Sequence, residues 1–356
     1  VLITFFGAII IAVMSFRSWV TLITFILLIF VVIFGWEELV KAWELLDKVN
    51  ISVWLLLIPI QFFSYYATGG MIFSYLKAKG NMKETSHWQM TRIALELNFV
   101  NHILPSGGAA GFSYLGWVLH RHGVGPGRAT MAQVVRFVLT FMSFVMLVLI
   151  SLVILSFDNM VNKNIVIVSA FLLFLAIGGT LLIVYLIGNR KRLTRLSVWL
   201  SESINRISSW LTRGRKKDVL KIEALEKFFD ELHQDYLEIK REKTILVRPM
   251  VWAIVANLMD VALLLVAFLS LGFWVSPAVL FIAFGISSIA SVFSASPGGA
   301  GVYEAIMIAF LASAGIPADV AIAGTLLARV TLLVGTIIFG YLFYQLTINK
   351  YGNAPK

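Results

Sequence analysis

Ser296-Pro297-Gly298-Gly299-Ala300-Gly301-Val302-Tyr303-Glu304 interrupts an apolar run, and Leu104-Pro105-Ser106-Gly107-Gly108-Ala109-Ala110-Gly111 does the same much earlier in the chain. Both interruptions are followed by an apolar arm and a break, at Gly315-Ile316-Pro317 and at Gly123-Val124-Gly125-Pro126. Each break opens a long apolar segment that carries one arginine, Arg329 in the later copy and Arg136 in the earlier. Hydrophobic segments broken by glycine and proline at corresponding places in two halves are the sequence sign of a transporter's central site.

The composition agrees. Of the 356 residues, 59% are hydrophobic and 13% charged, and the mean hydropathy is +0.89. That is too much apolar sequence for a soluble core, so most of it must face lipid. The chain has no cysteine, which excludes disulfides, thiolate nucleophiles and cysteine-ligated metals. Its net charge of +10 gathers in particular loops, as a positive-inside membrane protein requires, and is not read as a nucleic-acid footprint.

The pattern predicts an all-α polytopic membrane protein with about seven spanning helices and two glycine-interrupted hairpins, re-entrant or paired, in an inverted repeat. The spans are expected near Val1–Phe16, Val20–Trp36, Ile51–Leu76, Met131–Phe157, Ile165–Ile187, Met250–Leu271 and Val320–Ile348. The first is short against the ~20 residues a spanning helix needs. The chain divides into 1–50 (N-terminal spans and an amphipathic surface helix at Glu37–Asn50), 51–188 (repeat 1, hairpin 93–119), 189–248 (helical linker), 249–348 (repeat 2, hairpin 278–314) and the tail 349–356. The arm Ile93–Leu104 would extend only ~18 Å as a helix, short of a ~30 Å hydrocarbon core, so it is expected to enter and turn back.

Lys77, Lys79, Lys83, Arg92, Arg121 and Arg128 flank the first hairpin, and Arg190–Arg195 and Arg213–Lys217 crowd the linker. These segments should be cytoplasmic, whereas the turns at Asp158-Asn159-Met160, Gly272-Phe273-Trp274 and Ala318-Asp319, which carry almost no basic charge, should face outward. The hairpins would then open from opposite sides of the cell membrane.

The motif Ser296–Glu304, with Arg329 in the closing helix and the looser copy at Pro105–Gly111, resembles the flippase-like membrane domain family. That family includes the transmembrane region of lysylphosphatidylglycerol synthases. The resemblance runs from about Val20 to Ile348. It implies a flippase for an aminoacylated phospholipid or a polyprenyl-phosphate-linked sugar, with membrane lipids as partners. Many members carry an acidic and a basic residue after the first glycines. Here Phe112, Ser113 and Tyr114 follow, a departure that bears on which lipid is carried. The multidomain synthases add a soluble transferase domain. This chain ends at Lys356, so any synthesis step is expected from a separate enzyme.

Ionisable groups at membrane depth cost about 2.5–3.5 kcal/mol each on insertion scales and need a partner or a wet cavity. The candidates are Glu96, His102, Arg136, Asp260, Glu304 and Arg329, with Asn101 and Asn257 beside them. Glu96 lies one turn from Arg92 and fits an internal ion pair, as Asp260 also could. Arg136 and Arg329 suit a lipid phosphate, which a guanidinium grips through two parallel hydrogen bonds. The turns at Pro105, Gly107, Gly108, Pro297, Gly298, Gly299 and Gly301 offer free backbone N–H groups to the same anion. The alternative for Arg329 is pairing with Glu304 or Asp260. Glu304 could instead meet an amine or exchange a proton. His102 is read first as a hydrogen-bonded packing residue.

A membrane-embedded lipid-modifying enzyme, or the membrane subunit of a transferase, is the rival class. It needs clustered acids, a nucleophile with its base, or HExxH. The acids here are scattered singly, so transport is preferred, with no catalytic residue, metal or cofactor expected.

Overall fold

A computed structural model describes residues 49–103, 109–157, 163–211, 222–292 and 299–351. The expected spans Val1–Phe16 and Val20–Trp36, nearly all of the Glu37–Asn50 surface helix, the turn residues Pro105, Gly107, Gly108, Pro297 and Gly298, and most of the tail lie outside them. The described residues are helical: α1 (Ile51–Trp54), α2 (Leu57–Ala78), α3 (His87–Ile103), α4 (Ala109–Arg121), α5 (Pro126–Phe157), α6 (Lys163–Ile187), α7 (Arg190–Leu211), α8 (Ile222–Arg241), α9 (Val247–Ser270), α10 (Pro277–Val292), α11 (Val302–Ser313), α12 (Ala318–Gly335) and α13 (Tyr341–Tyr351).

Among the described residues, five helical stretches are long and apolar enough to cross a membrane: Ile51–Ala78, Pro126–Phe157, Lys163–Ile187, Lys243–Ser270 and Ala318–Asn349. They coincide with the five expected spans that fall within the described residues. α10 and α11 are shorter apolar helices. α6 turns large side chains such as Phe174, Leu181 and Leu182 outward. A helix apolar on its outer face as well as its inner one suits lipid, not water.

Glycine and proline punctuate the helices. α4 ends where Val124 N–H bonds back to the Leu119 carbonyl (3.0 Å) across Gly123, which has φ +76°. α11 ends identically, with Ile316 N–H on the Leu311 carbonyl (3.0 Å) across Gly315, φ +91°. Only glycine takes this left-handed cap without cost, and a proline follows in both places, Pro126 as the first residue of α5 and Pro317 as the N-cap of α12.

The chain forms two compact units. One contains the described residues up to Phe62, Arg92–Gly111 and everything from Ala262 on. In it α10 packs on α11, and α11 on α12. Gly324 of α12 lies against the fully buried Phe268 ring, where an added Cβ would come within 2.2 Å. This is the close approach that small residues permit between membrane helices. A π-turn, Thr336–Gly340, joins α12 to α13. Gln61 donates to the Leu332 carbonyl (2.8 Å) just before it, and Gly340 sits against Phe99 and the Leu95 carbonyl of α3.

The other unit contains Phe63–Thr91 and Phe112–Val261. Here α5 packs along α6, α7 against α8, and α8 against α5. Glu231, Asp235 and Glu238 fall on one face of α8 because residues three and four apart share a helix face. Each has a partner. Glu231 accepts the Gly127 N–H at the start of α5 (3.1 Å), where a helix dipole favours an anion. Asp235 takes Nε and Nη2 of Arg128 (3.2 and 3.0 Å) and the Tyr75 hydroxyl (3.4 Å). Glu238 meets Lys79 at 2.5 Å, and that hydrogen bond holds its carboxyl below the ordinary glutamate range.

Candidate functional site

In the first unit, Glu304 occupies the opening turn of α11. Its Oε2 accepts the N–H of Gly301 (2.6 Å), and its Oε1 accepts Arg329 Nε of α12 (2.5 Å). Gly301 and Gly299 have φ of +85° and +73°, so the backbone of the second glycine motif adopts the left-handed conformation here. The Arg329 guanidinium also lies over the Tyr303 ring, 4.4 Å from its centroid. Both charged side chains are largely buried. Glu304 thus ties the glycine turn to α12 through a single carboxylate, and of the two acids considered for Arg329 it is Glu304 that pairs.

A second polar cluster in this unit centres on Glu96, which is fully buried. Its Oε1 accepts from Arg92 Nε one turn earlier (2.9 Å) and from the Thr347 hydroxyl of α13 (2.6 Å). Arg92 Nη2 closes the triangle on Thr347 Oγ1 (2.8 Å). Thr347 escaped the sequence reading because one threonine in an apolar helix carries no pattern. A polar residue at membrane depth was the available signal. His102 places Nδ1 2.9 Å from the Asn98 carbonyl one turn back, so that nitrogen carries the proton. Asn101 keeps a buried Oδ1 with no partner among the described residues. It lies against Gly111, where a Cβ would come within 2.0 Å of that oxygen.

The other unit holds Arg136, on α5, and its surroundings differ in kind. Its Nε is buried with no hydrogen-bond partner, and no carboxylate pairs with it among the described residues. Its guanidinium lies 4.6 Å from the centroid of the adjacent Phe137 ring, a cation–π contact that gives Nε no hydrogen-bond acceptor. One turn earlier, the fully buried Gln133 donates Nε2 to the Phe112 carbonyl (2.9 Å), tying α5 to α4 just beyond the first glycine motif. Gln133 Oε1 is likewise buried and unpartnered. Positions 133 and 136 share a helix face, so an unmet acceptor and an unmet cationic donor stand one turn apart on it.

Asn257 and Asp260, on α9 in the same unit, are held by neutral groups. Asn257 Nδ2 reaches the Thr140 carbonyl (3.2 Å) and the Ser143 hydroxyl (2.5 Å), and Asp260 Oδ1 accepts from Ser64 (2.7 Å). No group of histidines, aspartates and glutamates among the described residues could hold a metal ion.

The helices and their buried charges define an integral membrane protein of all-α architecture with polar groups set inside its spans. The sequence matches the family described as "Lysylphosphatidylglycerol synthase TM region" over residues 6–340, and the chain belongs to it. No curated protein and no solved structure matches the chain.

Proposed function

We propose that the protein is a lipid flippase that carries a phosphate-bearing lipid between leaflets by alternating access, Arg136 taking the phosphate. The observation that carries this reading is the buried Arg136 Nε, a permanent cation with neither carboxylate nor carbonyl to satisfy it among the described residues. A fixed guanidinium left in low dielectric without a counter-ion is costly, and a phosphate supplies both charge and paired acceptors. Gln133 holds the α4 backbone next to the first glycine motif and offers its free Oε1 to a donor on the headgroup. Glu304 and Arg329 hold the second glycine turn in shape instead of gripping the lipid directly.

The inverted arrangement draws support from the matching glycine caps at Gly123 and Gly315 and from the loop charges. Single cysteines placed at Lys79 and Arg215 should label from the cytoplasm, and at Asn159 and Trp274 from outside. Cytoplasmic labelling at Trp274 would remove the inverted repeat. Transport is tested in reconstituted vesicles by following a headgroup-labelled phospholipid from inner to outer leaflet. Arg136→Gln should lower the rate at least ~10-fold at unchanged folded yield, because a charge-assisted hydrogen bond contributes about 1.5–3 kcal/mol. An unchanged rate would reject the reading.

A further inference from the structure

A cavity of about 790 Å³ opens at the ends of two spans in the unit that also holds Arg136, and no residue assigned to transport above lines it. That volume lies within the ~300–1,000 Å³ of typical small-molecule sites. One wall is aromatic. Tyr66 meets the Trp252 ring edge-on at 5.3 Å, and its hydroxyl lies 3.3 Å from His87 Nδ1. Gly70 lets the indole lie directly on α2, since a Cβ there would fall 2.7 Å from Trp252 Cδ2. The rim is cationic: Lys77 stands in the last turn of α2 and Arg248 in the first turn of α9. Neither cation makes an ion pair among the described residues. The one carboxylate on the rim, Glu242, accepts the Thr244 hydroxyl (3.4 Å).

Apolar aromatic depth with two unspent cations where helices leave the bilayer is the arrangement that receives an anionic amphiphile. We propose that this cavity binds the headgroup of an anionic glycerophospholipid, Lys77 and Arg248 holding the phosphate while Tyr66 and Trp252 pack against the glycerol and first acyl carbons. The excess of positive charge selects an anionic lipid over a zwitterionic one, because a choline ammonium would meet both cations. This site is separate from the one proposed for transport and does not depend on it.

The full chain, purified in neutral detergent, is titrated with dioctanoyl-phosphatidylglycerol, dioctanoyl-phosphatidylcholine and inorganic phosphate, and bound ligand is counted by native mass spectrometry. Phosphatidylglycerol should bind at least tenfold more tightly than phosphatidylcholine. The paired change Lys77→Gln and Arg248→Gln should erase that preference. Thr244→Trp, which fills the cavity from an exposed position with both cations intact, should lower phosphatidylglycerol binding at least tenfold. Arg136→Gln, which removes the phosphate contact proposed for transport, should leave the preference for phosphatidylglycerol over phosphatidylcholine intact. Retained preference in both the paired variant and Thr244→Trp would overturn the proposal. So would loss of that preference in Arg136→Gln, or displacement of the lipid by millimolar inorganic phosphate, which would mark a free-phosphate site.

Discussion

Arg136 and Arg329 hold corresponding places in their halves of the sequence, each on the long helix after a glycine-closed, proline-opened break, yet their neighbours differ. Arg329 has a carboxylate at 2.5 Å that also caps the glycine turn, and Arg136 has a phenyl ring and an unused Nε. The same side chain therefore stands in two different settings. Where a buried acid stands opposite, the arginine fixes backbone. Where none does, its buried Nε stays without a hydrogen-bond partner among the described residues. At corresponding places in the sequence, the local partner separates a paired charge from one that has no carboxylate beside it among the described residues.

The sharpest way to break this contrast is to remove each arginine in turn. Arg329→Gln strands Glu304 as a buried unpaired charge and should destabilise the protein by about 3–5 kcal/mol, seen as a lowered thermal midpoint. Adding Glu304→Gln should recover most of the loss, because the two amides can hydrogen-bond without net charge. Arg136→Gln should instead leave the midpoint nearly unchanged and cut lipid movement ~10–100-fold, with Arg136→Lys recovering part, since it keeps charge but not the fork. If Arg136→Gln unfolds the protein and Arg329→Gln does not, the assignment of roles is reversed.

The glycine motifs allow a finer comparison. Gly299→Val forces a β-branched residue to φ near +73° with its Cβ about 2.2 Å from that of Ser291, and should cost at least ~1–2 kcal/mol. Gly111 has ordinary helical angles, so Gly111→Ala only crowds the Asn101 amide, a side chain that can turn away. Its thermal midpoint should fall less. The smallest effect belongs to α8: the Lys79 contact lowers the Glu238 pKa, so its stabilisation is full above the ordinary glutamate range and disappears as pH falls through the lowered value. Because Glu238 is half exposed, the change should stay under ~1 kcal/mol. Thermal midpoints measured from pH 6 down to pH 3, against Glu238→Gln, would detect it.

Much of the architecture was legible because its signals are local. Apolar length marks the spans, and Gly123-Val124 and Gly315-Ile316 spell out a helix cap within two residues. The Arg92–Glu96 pair was legible for the same reason, being one turn apart. What sequence could not supply was long-range choice. Glu304 and Asp260 were equal claimants to Arg329 on charge alone, and only the folded chain brings α11 to α12. Nor does any pattern announce that Thr347 would complete the Glu96 cluster from 251 residues away, or that Lys77 and Arg248 would share one cavity.

The π-turn at Thr336–Gly340 gives the last span a residue more than its α-helical pitch would hold. Every side chain beyond it is therefore rotated by roughly 100° from where an unbroken helix would have aimed it. Thr347, beyond the turn, bonds Arg92 and Glu96 in that rotated register, and Gly340, the last residue of the turn, lies against Phe99. Deleting one residue from the turn would lengthen no loop and remove no charge. It would nonetheless turn α13 like a key withdrawn from its lock, leaving Glu96 facing hydrocarbon where a hydroxyl had been.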